Sequence, residues 1–337
     1  MSSALLRVEH LTTAFPIEGR WEAAVNDVSF EMAAGETLAL VGESGSGKSL
    51  TALSIMGLVP SPGQIAAGSI QFRLRDGNSR DLVTLPERER QHIRGRHIAL
   101  ILQEPMTALN PVFTIGAQIV ETLRIHGLTT GRRAARARAI ELLAAVRVPN
   151  PDRLVDAYPH QLSGGLRQRA LIAAALAGEP SLLIADEPTT ALDVTIQAEI
   201  LDLLRDLRAR LGLSLLLITH DLGIVAQNAD RVAVMYAGRI VEEAPVRTLF
   251  FEPRHPYTQG LLASIPKRGT GERLHAIDGV VPRLGRIPPG CPFAPRCPAR
   301  FEPCTGIVPE LTGADHRVRC YLYSPDPVST AVASTSR

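Results

Sequence analysis

The chain has 337 residues, 45% of them hydrophobic, and a formal net charge of +2. That length and composition are those of an ordinary globular protein with a full hydrophobic core and two or three compact parts. So mild a charge argues against nucleic acid as a partner, which usually leaves a clear basic excess or stripe.

Taken in chain order, the start Met1–Arg7 lacks a basic segment followed by a long apolar core, so it does not read as a secretory signal. No apolar run approaches the roughly 18 residues expected of a membrane span. The chain is therefore expected to be made and kept in the cytosol, with any membrane association supplied by a partner. Residues 5–41 alternate short apolar stretches with polar breaks, and Leu5–Val8, Val25–Phe30 and Thr37–Val41 read as strands. The last runs into Gly42-Glu43-Ser44-Gly45-Ser46-Gly47-Lys48-Ser49, and the apolar periodicity from Leu50 to Leu58 predicts a helix behind it.

His97–Leu102 reads as a buried strand ending at Gln103-Glu104-Pro105, after which helical patterns dominate from Pro111 to Ala177. Within them, Arg132–Val146 sets alanines and leucines on one side and arginines on the other, the pattern of a solvated helix face. Ser181–Ala185 and Leu213–Ile218 are again of strand length, with a helix from Thr195 to Leu211 between them. Strands alternating with helices imply a largely parallel sheet covered on both faces. Beyond Phe250 prolines replace long apolar runs, and residues 324–337 are expected to be disordered.

Two segments carry chemistry on their own residues. Gly42–Ser49 matches the full phosphate-binding loop G-x-x-x-x-G-K-S between a strand and a helix: backbone N–H groups cradle phosphate, Lys48 reaches the outer phosphates, and Ser49 offers a hydroxyl to Mg2+. Lys48 and Lys267 are the only lysines in a chain that otherwise uses arginine; a compact ammonium fits between phosphate oxygens where a planar guanidinium does not. Leu182–Ala185 delivers Asp186 and Glu187 at its end, the edge where such sheets bind ligands. Asp186 is placed to support Mg2+, and Glu187 to orient and deprotonate an attacking water.

Between these two lies Leu162-Ser163-Gly164-Gly165-Leu166-Arg167-Gln168-Arg169, a serine and two glycines opening a helix. In this order the three parts resemble the ATP-binding cassette (ABC) superfamily. The resemblance implies an α/β fold: an ABC-type nucleotide-binding domain over residues 1–250, with a RecA-like core, an antiparallel β subdomain and a helical subdomain at about 104–177. It also implies that two cassettes stack head to tail, Ser163, Gly164 and Gly165 of one covering the ATP on the loop of the other.

By the same resemblance, ATP is contacted by Gly42, Ser44, Gly45, Ser46, Gly47, Lys48, Ser49 and Leu50. Gln103 touches magnesium and water, Ala191-Leu192-Asp193 crosses the dimer interface, and His220 senses the terminal phosphate. An aromatic stacks on adenine, with Phe15 preferred over Trp21. Leu166 departs from the family's commonest pattern, which has glutamine there, without implying inactivity.

Phe251-Glu252-Pro253-Arg254-His255-Pro256-Tyr257-Thr258, Leu261–Pro266 and Gly290–Cys297 are similar to the extension of oligopeptide and dipeptide (Opp/Dpp) importer ATPases, here residues 251–323. That implies two permease partners, a related or identical second ATPase subunit, an extracytoplasmic peptide-binding protein and a peripheral place on the cytoplasmic face of the inner membrane. Nickel importers are close relatives, and a soluble ABC protein of DNA repair or translation is the rival of another class. Cys291, Cys297, Cys304 and Cys320 all fall in this extension. A reducing cytosol disfavours disulfides, and the irregular spacing suits a [4Fe–4S] cluster better than zinc, with unliganded thiols the remaining reading.

Overall fold

The computed structural model describes residues 4–103, 108–190, 192–265 and 277–324. Glu104 and Pro105, Ala191, Pro266 and all of the expected disordered tail except Ser324 lie outside the described residues.

Two sheets organise the chain. Strands β1 (Leu6–Ile17), β2 (Arg20–Met32), β4 (Gln64–Arg73) and β5 (Ser79–Asp81) form an antiparallel sheet in the order β2-β1-β4-β5. The seven-stranded sheet has the order β11-β10-β9-β3-β8-β7-β6, from β3 (Thr37–Val41), β6 (Ile98–Ile101), β7 (Leu182–Asp186), β8 (Ser214–Thr219), β9 (Arg231–Tyr236), β10 (Arg239–Pro245) and β11 (Arg317–Val318). Strands β6, β7, β8, β3 and β9 are parallel, as the alternating pattern predicts, while β10 and β11 close one side antiparallel.

Every residue of β3, β7 and β8 is buried, because both faces of the parallel sheet are covered. Side chains alternate between the covers. Leu38 and Leu40 point into a core shared with Leu6, Phe30 and Phe72 of the antiparallel sheet, whereas Ala39 and Val41 face Val225, Leu249 and Tyr257. The helices Ile115–Ile125, Arg132–Ala145 and Gly164–Leu176 pack together in a third core with Leu183 and Leu217. Ala135, Ala139, Leu142 and Leu143 form the buried stripe of the second of these, and its arginines lie on the solvated side.

Register fixes where the site must be. Val41 pairs Thr219, Asp186 pairs Ile218 and Ile101 pairs Ala185, so four strands end along one edge. The phosphate loop, Glu187, His220 and Gln103 each follow one of those ends.

The extension is fastened to the sheet by a buried carboxylate. Glu242 on β10 is fully buried, and its oxygens accept hydrogen bonds from the backbone N–H groups of Arg254 (2.7 Å) and His255 (2.9 Å) and pair with His316 Nε2 (2.7 Å). His255 is itself buried, and its Nδ1 accepts from Tyr257 N at 3.1 Å, opening the helix Pro256–Ala263. Burial lowers the His255 pKa to about 3, so the ring is neutral when folded and takes up a proton on unfolding at acid pH. The stability it contributes is present above about pH 6.5 and is lost as pH falls from there toward about 3. At pH 5 the loss comes to about 2 kcal/mol, at roughly 1.4 kcal/mol per pH unit below 6.5. His255→Asn should therefore lower the melting temperature at pH 7 yet show a smaller drop between pH 7 and pH 5 than wild type; equal drops in the two proteins would contradict this assignment.

Candidate nucleotide site

At the strand-end edge lies a cleft of about 600 Å³ lined by Ala24, Ser44–Leu50, Gln103, Glu187 and Val281–Leu284, a size suited to one small ligand. The loop that floors it needs its glycines. A Cβ on Gly42 would stand 2.2 Å from the Met235 carbonyl oxygen, and one on Gly47, at φ +101°, 3.0 Å from the Ala24 carbonyl oxygen. Lys48 opens the helix Lys48–Met56 and folds back over the loop, donating to the carbonyl oxygens of Gly42 (2.8 Å) and Glu43 (3.0 Å). Burial lowers its pKa, opposed by the charges of Glu187, Asp186 and Glu43.

Asp186 ends β7 and is 5% exposed. Burial raises its carboxyl pKa, reinforced by the neighbouring Glu187 and opposed by the Ser49 hydroxyl hydrogen bond and the Lys48 charge. Its Oδ1 is buried without a hydrogen-bond partner among the described residues. A buried, unpartnered carboxylate oxygen beside a serine hydroxyl is a donor set that fits Mg2+, a hard cation that takes oxygen ligands.

Glu187 takes a left-handed backbone at φ +47°, unusual for a residue other than glycine. The backbone still ties to β8 through Glu187 N to the Ile218 carbonyl at 2.9 Å. Its carboxylate thus leaves the strand direction and meets three partners: Gln103 Nε2 (2.9 Å) and the Thr190 hydroxyl (2.8 Å) donate to Oε2, and His220 Nδ1 lies 2.9 Å from Oε1. Burial alone would raise the Glu187 pKa, but the His220 and Thr190 hydrogen bonds and the His220 and Lys48 charges outweigh it and hold the group below its ordinary value. The carboxylate is ionised at neutral pH and able to accept a hydrogen bond from water; a water in line shares or displaces the Gln103 or His220 contact.

The structure thus gathers Ser44–Leu50, Gln103, Asp186, Glu187 and His220 at one edge, with Gly42 beneath. It does not bring the other expected residues there. Ser163 caps the helix Gly164–Leu176 by accepting from Leu166 N (3.4 Å), and Asp193 caps Val194–Leu211 by accepting from Ile196 N (3.0 Å). Gly164 and Gly165 lie against Leu192 and Ile196. None of these four lines the cleft, so one chain holds only part of the expected site. Phe15 does not line it either: its ring covers Gly63, where a Cβ would stand 2.4 Å from the ring, and Trp21 is 54% exposed.

Thr190, Ala24 and Val281–Leu284 are site residues that sequence reasoning missed. Nor does the sequence signal that Glu43 is held from the extension, its N–H by the Tyr257 hydroxyl (2.9 Å) and its carboxylate by Arg296 (2.7 and 3.1 Å).

No disulfide joins the four cysteines, which line one small apolar cavity with His255, Phe293 and Tyr321. Burial pushes Cys291 and Cys320 up to about 11 and raises Cys297. Among the described residues no group of three or more His, Cys, Asp or Glu is arranged to hold a metal ion.

A phosphate loop, two acidic residues after a buried strand and a glutamine and histidine converging on one of them define an ATPase of the ABC class. The ABC transporter family matches residues 25–190, and the family described as "Oligopeptide/dipeptide transporter, C-terminal region" matches residues 241–304. The chain is 52% identical to the oligopeptide transport ATP-binding protein AppD of Bacillus subtilis (strain 168), over 96% of this chain and 98% of AppD. It is also 52% identical, over 94% of this chain and 96% of the relative, to a Brucella abortus (strain 2308) protein provisionally named a peptide import ATP-binding protein. Among solved structures it is similar to the dimeric post-hydrolysis state of the ATP-binding cassette MJ0796 bound to ADP and Pi, with TM-score 0.62 and 27% identity, covering 72% of this chain and 99% of that one. The chain belongs to the ATP-binding subunits of ABC transporters, in the branch defined by the oligopeptide/dipeptide transporter C-terminal region.

Two substitutions separate the carboxylates. Glu187→Gln is expected to keep ATP affinity within about twofold while lowering kcat by 10² or more, since it removes the carboxylate that takes a proton from the reacting water and leaves the phosphate contacts in place. Asp186→Asn should lower kcat comparably and raise the Mg2+ concentration needed for half-maximal rate; an unchanged Mg2+ requirement would contradict its assigned place.

Proposed function

We propose that this chain powers the import of di- and oligopeptides, seated on the cytoplasmic face of the inner membrane against two permeases fed by an extracytoplasmic peptide-binding protein. The observation that carries this reading is the extension, because residues 241–304 match a region described for oligopeptide and dipeptide transporters. Identity of 52% over nearly the whole chain to AppD supports it. No helix among the described residues is long and apolar enough to cross a membrane, so the permeases supply the pathway. Val112 and Phe113, 71% and 53% exposed at the edge of the helical subdomain, offer apolar surface for that contact.

In this reading the backbone of Gly42–Ser49 and Lys48 hold the phosphates, Leu50 follows them into the helix, and Ser49, Asp186 and Gln103 would hold Mg2+. When bound, Mg2+ neutralises charge between phosphate oxygens. Glu187 holds the attacking water, with His220 and Gln103 fixing the carboxylate. Ser163, Gly164 and Gly165 of a second subunit cover the outer phosphate with the positive end of their helix, and Asp193 borders that contact. ATP favours the closed pair of cassettes, and hydrolysis releases it.

We also propose that Cys291, Cys297, Cys304 and Cys320 hold a [4Fe–4S] cluster. All four line one small cavity, which supports this reading, and their irregular spacing suits a cluster better than the paired C-x2-C knuckles usual for zinc. Anaerobic purification followed by iron and sulfide analysis should find about four of each per chain; a colourless, iron-free protein would overturn this.

In cells lacking the gene, wild type should restore uptake of labelled di- and oligopeptides, and Phe113→Asp should not, although its ATPase activity persists in the isolated subunit. A nickel-uptake defect with normal peptide uptake would instead assign the same engine to metal import.

A further inference from the structure

Every nucleotide contact read from the sequence lies before residue 221, yet the cleft has a wall from beyond residue 250: Val281, Pro282, Arg283 and Leu284 face the phosphate loop. This strap is held at both ends. At its root the Arg296 guanidinium donates to the carbonyl oxygens of Ile277 (3.2 Å) and Asp278 (2.8 Å), while its other N–H groups grip the Glu43 carboxylate of the phosphate loop. Arg296 is itself fixed: its side chain is 5% exposed and lies over the rings of Tyr236 and Phe293. Beyond the cleft, Gly285 at φ +83° crosses the β1–β2 hairpin, where a Cβ would stand 3.2 Å from Ile17. Between them a turn closed by Arg286 N to the Arg283 carbonyl (2.9 Å) sets Arg283 in the cleft wall.

The charges in the cleft are unequally engaged. Lys48 is bonded to two carbonyl oxygens and Glu187 to three side chains. Arg283 is exposed, and its guanidinium has no hydrogen-bond or ion-pair partner among the described residues. A cation anchored through a rigid root and left unpaired beside a phosphate-binding loop has the charge and donor geometry for a polyphosphate.

We propose that Arg283 is a nucleotide-binding residue supplied by the C-terminal extension, pairing with the ATP phosphates, and that Arg296 is its positioning residue through Glu43 and the carbonyls of residues 277 and 278. The proposal rests on the assignment of this cleft to nucleotide. The extension is then part of the ATP site and a reason the cassette carries it.

The test is the affinity of the full-length chain for MgATP, followed with a fluorescent ATP analogue, alongside KM and kcat. Arg283→Met should weaken binding about fivefold and raise KM equally with kcat nearly unchanged, the size of one exposed charge-assisted contact. Arg283→Lys should recover part of the loss, and Arg286→Met, outside the cleft wall, should bind like wild type. Arg296→Gln should reproduce the loss at Arg283→Met, and combining the two should add little. Lys48→Ala separates the levels. If it weakens binding while Arg283→Met does not, the proposal fails and the cleft assignment stands; if Lys48→Ala leaves binding intact, the cleft assignment itself fails. Equal weakening by Arg283→Met and Arg286→Met would also overturn the specific role of Arg283.

Discussion

The arrangement on which the rest depends is the burial of opposite charges at one end of the parallel sheet. Lys48 is 6% exposed and Asp186 5%, with Glu187 beside them. Withdrawing such groups from water is costly unless each finds a partner. Lys48 finds two carbonyl oxygens only because Gly42 and Gly47 let the loop curl beneath it. Asp186 retains an oxygen with no partner among the described residues, the mark of a place built to be completed by something bound. The left-handed turn at Glu187 belongs to the same design, since it is what aims the carboxylate at Gln103 and His220 instead of along β7.

The extension is bound into this charge system. Glu242 locks its entry to β10 through Arg254, His255 and His316. Arg296 and Tyr257 hold Glu43, and Tyr236, Tyr257 and Phe293 pack edge-on and tilted between the two regions with ring centroids 4.6 to 5.3 Å apart. The phosphate loop is therefore supported from both sides, by the sheet it follows and by the segment carrying Cys291 and Cys297. Arg296, in the short turn Ala294–Arg296 just before Cys297, is the residue of that segment that grips the loop directly.

What the sequence reveals is what local chemistry determines. The phosphate loop and Asp186-Glu187 are contiguous motifs, and β3, β7 and β8 are apolar runs because both their faces are covered. Strands β4 and β5 are not legible, since Gln64–Arg73 is half exposed and Ser79–Asp81 is wholly polar; pairing of β4 with β1, and of β5 with β4, makes them strands. Phe15 stands where the resemblance expects an aromatic for adenine, and the contact of its ring with Gly63 is one that no local pattern signals. The Arg296–Glu43 pair joins residues 253 apart in sequence, and no spacing rule reaches that far. Thr190, three residues after Glu187, carries no signal until the turn brings its hydroxyl to the carboxylate.

The central claim is that hydrolysis occurs in a site one chain cannot complete, because Ser163–Gly165 lie away from the cleft they are expected to cover. Its most direct test is the ATPase rate per chain of the purified subunit as a function of protein concentration, with sedimentation run in parallel at each point. The account predicts a rate per chain that rises with concentration and levels off as paired cassettes form. A constant rate per chain down to concentrations where only single chains sediment would contradict it.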